Sequence, residues 1–212
     1  MAHQSIWYLT NLPKKVVEII DEDLINNFDD QMSSSKIERQ DVNKNVRNSE
    51  NVWIDSNHWI AGFIWHYVQK ANNNNFLYDL THIDGSSLQY TKYSKGQFYN
   101  WHNDQFHSNF YSPVHTEINA KLSTTDENYN KERNVINNEC VRKLSFSLQL
   151  SDPDDYEGGN VQLLDENNKS YIAPRNRGAI ILFDSRTQHR VLKVTKGVRR
   201  SIVGWVVGPR WK

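Results

Sequence analysis

Apolar positions recur at helical spacing twice near the start of the chain, and then the period shortens to two. Residues 13–28 (PKKVVEIIDEDLINNF) predict a helix, with Val17, Ile20, Leu24 and Phe28 along one stripe and Pro13 at the first helical position. Residues 33–51 are polar and read as an exposed connection. A second helix is predicted over about 56–70, capped by Ser56 or Asn57, with an apolar stripe of Ile60, Phe63, Ile64, Tyr67 and Val68, and the Asn run 72–75 ends it. From about residue 76 the pattern alternates. Leu88, Tyr90 and the residues up to Asp104 read as strands with a turn near Gly96. LSFSLQL (144–150) alternates cleanly, with Leu144, Phe146, Leu148 and Leu150 on one face and Ser145, Ser147 and Gln149 on the other. VQLL, KSYIA, GAIILF and RRSIVGWVV add further strands with hairpin-length links and no intervening helices. A mainly β fold with N-terminal helices follows, its strands forming a sandwich or barrel and not βαβ units. Residues 105–141 carry no strong pattern and read as a lid or insertion.

The chain of 212 residues fits one domain, with helical support over about 1–75 and a β core over about 76–212. Its formal charge is zero, so no basic field favours nucleic acid. Cys140 is the only cysteine, no apolar run approaches the ~18 residues a bilayer span needs, and no leader pattern opens the chain. A cytoplasmic protein without membrane attachment is expected.

The chemistry concentrates in the second half. His102 and Asp104 lie two apart on a predicted strand, so both project from one face and can grip one cation. A third ligand must come from His107, His115 or His189. His189 follows the apolar strand GAIILF, which makes it the best anchored of the three. Two imidazoles and one carboxylate leave coordination positions open, the pattern of non-haem Fe(II) oxygenases. Ten residues beyond His189, Arg199 and Ser201 share a strand face, with Arg200 on the other. An Arg and a hydroxyl together make a carboxylate seat. Iron and such a seat suit 2-oxoglutarate, which chelates through its 2-oxo acid end. Tyr93 and Tyr99 are placed to donate phenolic hydrogen bonds on the approach.

Three ordered blocks carry a family resemblance: YSKGQFYNWHND (93–104), RKLSFSLQLSDPDDYEGG (142–159) and HRVLKVTKGVRRSIVGW (189–205). Over roughly residues 88–207 the chain resembles the prolyl 4-hydroxylase-type 2-oxoglutarate/Fe(II) dioxygenases. That resemblance implies a double-stranded β-helix (jelly-roll) core flanked by helices. It implies Fe(II) at His102, Asp104 and His189, with 2-oxoglutarate and O2 as cosubstrates and ascorbate as an optional reductant. It places Arg199 on the cosubstrate, with Tyr93, Ser201 and Gln149 beside it. Gln149 stands where relatives often carry Tyr. Arg142 matches an Arg that faces the peptide substrate, and Tyr99 and Trp205 are read as groove wall. The implied reaction is hydroxylation of an unactivated C–H, with a proline-containing peptide or protein as substrate. A free amino acid, another side chain or a small molecule is the second reading, and a non-catalytic β-barrel binding module the third.

Overall fold

The computed structural model describes residues 6–9, 12–35, 45–55, 57–84, 88–105, 140–165 and 167–211. Its first half contains β1 (Ile6–Leu9), α1 (Lys14–Phe28), β2 (Ser33–Ser34), β3 (Arg47–Asn48), β4 (Glu50–Ile54) and α2 (Trp59–Ala71). Then come β5 (His82–Ile83), β6 (Leu88–Ser94), β7 (Phe98–His102) and β8 (Cys140–Gln149). The chain continues through β9 (Tyr156–Gly158), β10 (Val161–Leu164), β11 (Ser170–Ile172), β12 (Ile180–Asp184), β13 (His189–Val191) and β14 (Val194–Pro209). One sheet runs β1-β12-β8-β14-β6-β4-β2, with β5 and β9 also on β14, and a smaller one runs β11-β10-β13-β7-β3. Every pairing named is antiparallel. Two such sheets packed face to face are a double-stranded β-helix.

The large sheet explains why LSFSLQL alternates. Leu144, Phe146 and Leu148 register with Val206, Gly204 and Ile202 on one side and with Asp184, Leu182 and Ile180 on the other. That face packs under Val17, Ile20 and Leu24 of α1 and Ile60, Ile64 and Val68 of α2, all at most 2% exposed. Each such side chain contributes about 1.5–3 kcal/mol on burial. The opposite face carries Ser145, Ser147 and Gln149, and it is buried too, because it lines the inside of the barrel. Smaller apolar clusters join the sheets there: Leu163 with Ile181 and Phe183, and Tyr93 with Val191 and Val194.

Four sequence expectations are corrected. The exposed connection over 33–51 contains β2, β3 and the start of β4, and Arg47, Ser49 and Asn51 are buried. Arg47, Ser49 and Asn51 bond other polar groups inside the barrel, so the period-two signal is hidden. The Asn run does not end the second helix but extends it as one π-type turn to Phe76, closed where the Asn72 side chain bonds both the N–H and the carbonyl of Tyr78. The cap of α2 is His58, whose ring nitrogen accepts from the Ile60 amide; of the residues proposed for that role, Ser56 lies outside the described residues. The predicted lid also falls mostly outside them; Cys140 and Val141, assigned to it, open β8. Among the described residues no helix is long and apolar enough to cross a membrane.

Candidate active site

His102 ends β7, and Asp104 follows in a bend, not on the same strand as expected. The bend is held by the Asp104 amide, which donates to the Ser185 carbonyl at 2.9 Å. His189 opens β13 directly opposite His102 in register. One ligand atom from each of the three lies within 4.8 Å of the others. His189 Nε2 is 3.4 Å from one Asp104 oxygen and His102 Nε2 is 3.9 Å from the other. The remaining candidates, His107 and His115, lie outside the described residues.

The ring orientations follow from the backbone. His102 Nδ1 is 2.7 Å from the Asn100 carbonyl and His189 Nδ1 is 3.0 Å from the Thr187 carbonyl. With Nδ1–H donating to those carbonyls, each Nε2 lone pair is left facing Asp104, as a metal requires. Ser145 Oγ donates to Asp104 at 2.6 Å. Burial alone would raise the Asp104 carboxyl, but His189, His102, Arg142 and the Ser145 bond outweigh it and hold it below the ordinary value. Burial, reinforced by His189, pulls the His102 imidazole down to about 3, so the ring is neutral near pH 7. A carboxylate and two imidazoles whose Nε2 atoms face it, converging and otherwise buried, fit a divalent metal such as Fe(II).

A cleft opens from this triad, lined also by Tyr93, Tyr99, Phe183, Arg199 and Trp205. Arg199 is 2% exposed, and burial pulls its pKa below the ordinary guanidinium value. Among the described residues it meets no carboxylate; it donates to Ser201 Oγ at 3.2 Å, bonds the Tyr156 hydroxyl and lies 5.7 Å from the Tyr93 ring centre. Arg200, its neighbour, points to the opposite face and binds Asp21 of α1. Gln149 is beside Arg199 but lines a smaller cavity behind it, and donates to the Tyr156 hydroxyl at 3.0 Å and the Ser151 carbonyl. Its amide is thus committed, and Tyr156 supplies the phenol at Arg199.

Gly159 permits that approach. At φ +62° it adopts a conformation that disfavours side chains, and a Cβ there would lie 3.2 Å from the Tyr156 ring and 3.3 Å from Arg199 Cδ. Tyr99 does not stand free on the approach. Its ring stacks on His102 at 3.5 Å between centres, and burial pushes its phenol up. Trp205 lines the cleft, whereas Arg142 does not: it lies over the Trp205 ring at 3.8 Å and reaches Asp84 and the Asp104 carbonyl, each at 3.5 Å. Two contributors escaped the sequence reading. Tyr156 sits in the acidic DPDDYE segment, where the EGG that follows it is the one signal of a tight approach. Arg47 sat in a stretch taken for solvent-exposed linker and lines the cleft.

A jelly-roll barrel with converging His, Asp and His side chains beside a buried arginine that meets no carboxylate among the described residues has the chemistry to hold a metal ion and an anion together. The chain belongs to the 2OG-Fe(II) oxygenase superfamily, whose family model matches residues 88–207. It is 43% identical over 63 residues to a PKHD-type hydroxylase of Parvibaculum lavamentivorans, a stretch covering 30% of this chain and 28% of that relative's length. The fold matches a prolyl-4-hydroxylase of Pseudomonas putida at TM-score 0.65 and 16% identity, covering 98% of this chain and 94% of that one. It also matches a Trichoplax adhaerens prolyl hydroxylase, in complex with a hypoxia inducible factor peptide fragment, at TM-score 0.70 and 15% identity, covering 95% of this chain and 83% of that one.

Proposed function

We propose that this protein is a 2-oxoglutarate- and O2-dependent hydroxylase acting on a prolyl residue in a peptide or protein. The observation that carries the reading is the juxtaposition of the converging His102, Asp104 and His189 with Arg199, a buried cation that meets no carboxylate among the described residues of the same cleft. His102, Asp104 and His189 would hold Fe(II). Arg199, with Ser201, Tyr156 and Tyr93, would hold the distal carboxylate of 2-oxoglutarate by charge-assisted hydrogen bonds. Bound together, Fe(II) and 2-oxoglutarate supply the oxidative decarboxylation that consumes O2 and yields succinate, CO2 and a hydroxylated substrate. The chain's own part is orientation and exclusion of water. Tyr99 and Phe183 fix the two imidazoles by ring contacts at 3.5 and 4.7 Å. Trp205 is joined by half-exposed Trp53, 6.2 Å away, in an aromatic wall leading outward, a surface suited to a prolyl ring. Arg142, over Trp205, braces that wall and the Asp104 backbone. The relatives' name supports hydroxylation, and the neighbour seen with a bound peptide supports a chain substrate. A reducing cytoplasm, which suits ferrous iron and the lone Cys140, is the compartment we assign.

The test is twofold. Purified protein given Fe(II) and 2-oxoglutarate should release succinate with proline-containing peptides, and mass spectrometry should show a gain of one oxygen on proline. Metal analysis should find about one Fe per chain in the parent and loss of it in His102→Ala. Undiminished iron and turnover in that variant would remove the ligand assignment, and succinate release without oxidised proline would remove the prolyl substrate.

A further inference from the structure

Arg47 is the second buried cation of the cleft, and the reaction just proposed gives it nothing to do. It opens β3 on the small sheet, opposite Tyr99 of β7. Only 6% of it is exposed. Its Nε donates to Ser49 Oγ at 2.9 Å and one terminal nitrogen donates to Gln89 Oε1 at 3.1 Å. Its guanidinium lies 4.9 Å from the centre of the Tyr99 ring. Both hydrogen-bond partners are neutral, and among the described residues no carboxylate forms an ion pair with it. Five donors are available on a guanidinium, so capacity remains. A desolvated charge without a counter-charge is costly, and an arriving anion relieves that cost.

The anion is not the cosubstrate. 2-Oxoglutarate carries two carboxylates, one for the metal and one for Arg199. The register separates the two arginines: Arg199 pairs with Tyr93, whereas Gln89, the partner of Arg47, lies opposite Val203. Gln89 and Tyr93 share a strand face four residues apart, roughly 13 Å along β6. Arg47 therefore serves another part of the cleft. Its platform, Tyr99, stacks directly on His102. An anion on Arg47 thus sits one aromatic ring from a metal ligand, where the carbon to be oxidised must come.

We propose that Arg47 is a carboxylate seat for the primary substrate, so that the preferred substrate bears a carboxylate close to the oxidised carbon. This deepens the hydroxylase reading and rests on it for the existence of a primary substrate. A carboxylate can come from a free or chain-terminal α-carboxyl group or from an acidic side chain beside the target residue.

Binding, not turnover, separates the cases. The protein, loaded anaerobically with Fe(II) and 2-oxoglutarate, is titrated with N-acetylproline, N-acetyllysine and N-acetylleucine and with their amides, following tryptophan fluorescence. A second arm uses the blocked peptides Ac-Ala-Pro-Glu-NH2 and Ac-Ala-Pro-Gln-NH2. The acids should bind about tenfold or more tightly than the amides if the source is an α-carboxylate, and the Glu peptide more tightly than the Gln peptide if it is a side chain. Arg47→Gln should abolish the preference and Arg47→Lys should keep part of it, while 2-oxoglutarate affinity stays within about twofold. Equal binding of acids and amides together with equal binding of both peptides overturns the proposal, and needs no variant to observe. So does a variant whose main loss is 2-oxoglutarate affinity. A preference for acids that ignores proline leaves the seat standing and removes the prolyl reading; a preference for proline that ignores charge does the reverse.

Discussion

Arg199 illustrates how far one side chain can be read. Its position ten residues past His189 and its parity with Ser201 single it out in sequence, and in the structure it is 2% exposed and bonded to the hydroxyls of Ser201 and Tyr156. Replacing it by Ala should leave the cosubstrate's distal carboxylate unpaired in a closed site. A broken buried pair costs roughly 3–5 kcal/mol, so 2-oxoglutarate affinity should fall by about two to three and a half powers of ten. Calorimetric titration of the Mn(II)-loaded protein measures this; Arg199→Lys should recover part of the loss, because it restores the charge without the planar fork. Unchanged affinity in Arg199→Ala would move the carboxylate elsewhere. The convergence of the triad and the burial of Arg199 beside it were legible because metal and anion chemistry constrain residue type and spacing together. Arg47, Tyr156 and Gln149 were not legible in the same way. Their roles depend on which neighbour occupies each hydrogen bond, and neighbours brought together by β-pairing leave no trace in local spacing.

Among the elements, β8 shows what alternation does and does not disclose. Two faces were evident from LSFSLQL, but the polar face reads as solvent-exposed by default and is instead the wall of the cleft, with Ser145 holding Asp104. The strand beside it, β12, ends in a second polar network on its helix-facing side. Asp184 accepts from the Tyr78 hydroxyl at 2.6 Å and from Arg186 Nε at 2.8 Å. Burial alone would raise the Asp184 carboxyl, but the bonds from Arg186 and Tyr78 outweigh it and hold it below the ordinary 3.8. Burial and then the bond to Asp184 push the Tyr78 phenol from 10.0 up to about 12. The signs differ. A depressed carboxyl contributes stability above its unfolded pKa and loses it as pH falls through the folded one; a raised phenol contributes fully below its unfolded pKa and loses it as pH climbs through the folded one. The network should therefore weaken below about pH 4 and again between about pH 10 and 12. Urea unfolding across that range checks it. Asp184→Asn should be less stable than the parent near pH 7, and the gap should narrow toward pH 3. A gap that does not change with pH would show that the carboxylate's charge contributes nothing.

At the scale of the molecule, the helices and the cleft lie on opposite faces of the same large sheet. The helical half was legible from its 3.6-residue period and the β half from its period of two, whereas β1 to β4 were missed because β1 is only four residues and β2 to β4 are short and of mixed polarity, too short for a periodic signal. This arrangement separates stability from chemistry, and β14 is where the two meet: Arg199 turns inward to the cleft and Arg200 outward to α1. There Asp21, with 8% of its side chain exposed, takes both Arg200 and Arg177, the latter at 2.9 Å. Asp21→Ala removes the shared anion and leaves two arginines facing each other. Their side chains are 23% and 31% exposed, so water softens the loss. A cost of about 3 kcal/mol is expected, at the low end for breaking a buried pair. If the helix only covers the sheet, the urea midpoint should drop while 2-oxoglutarate affinity stays within about twofold. A collapse of affinity without loss of stability would instead mean that the α1 clamp sets the register of β14, and with it the aim of Arg199.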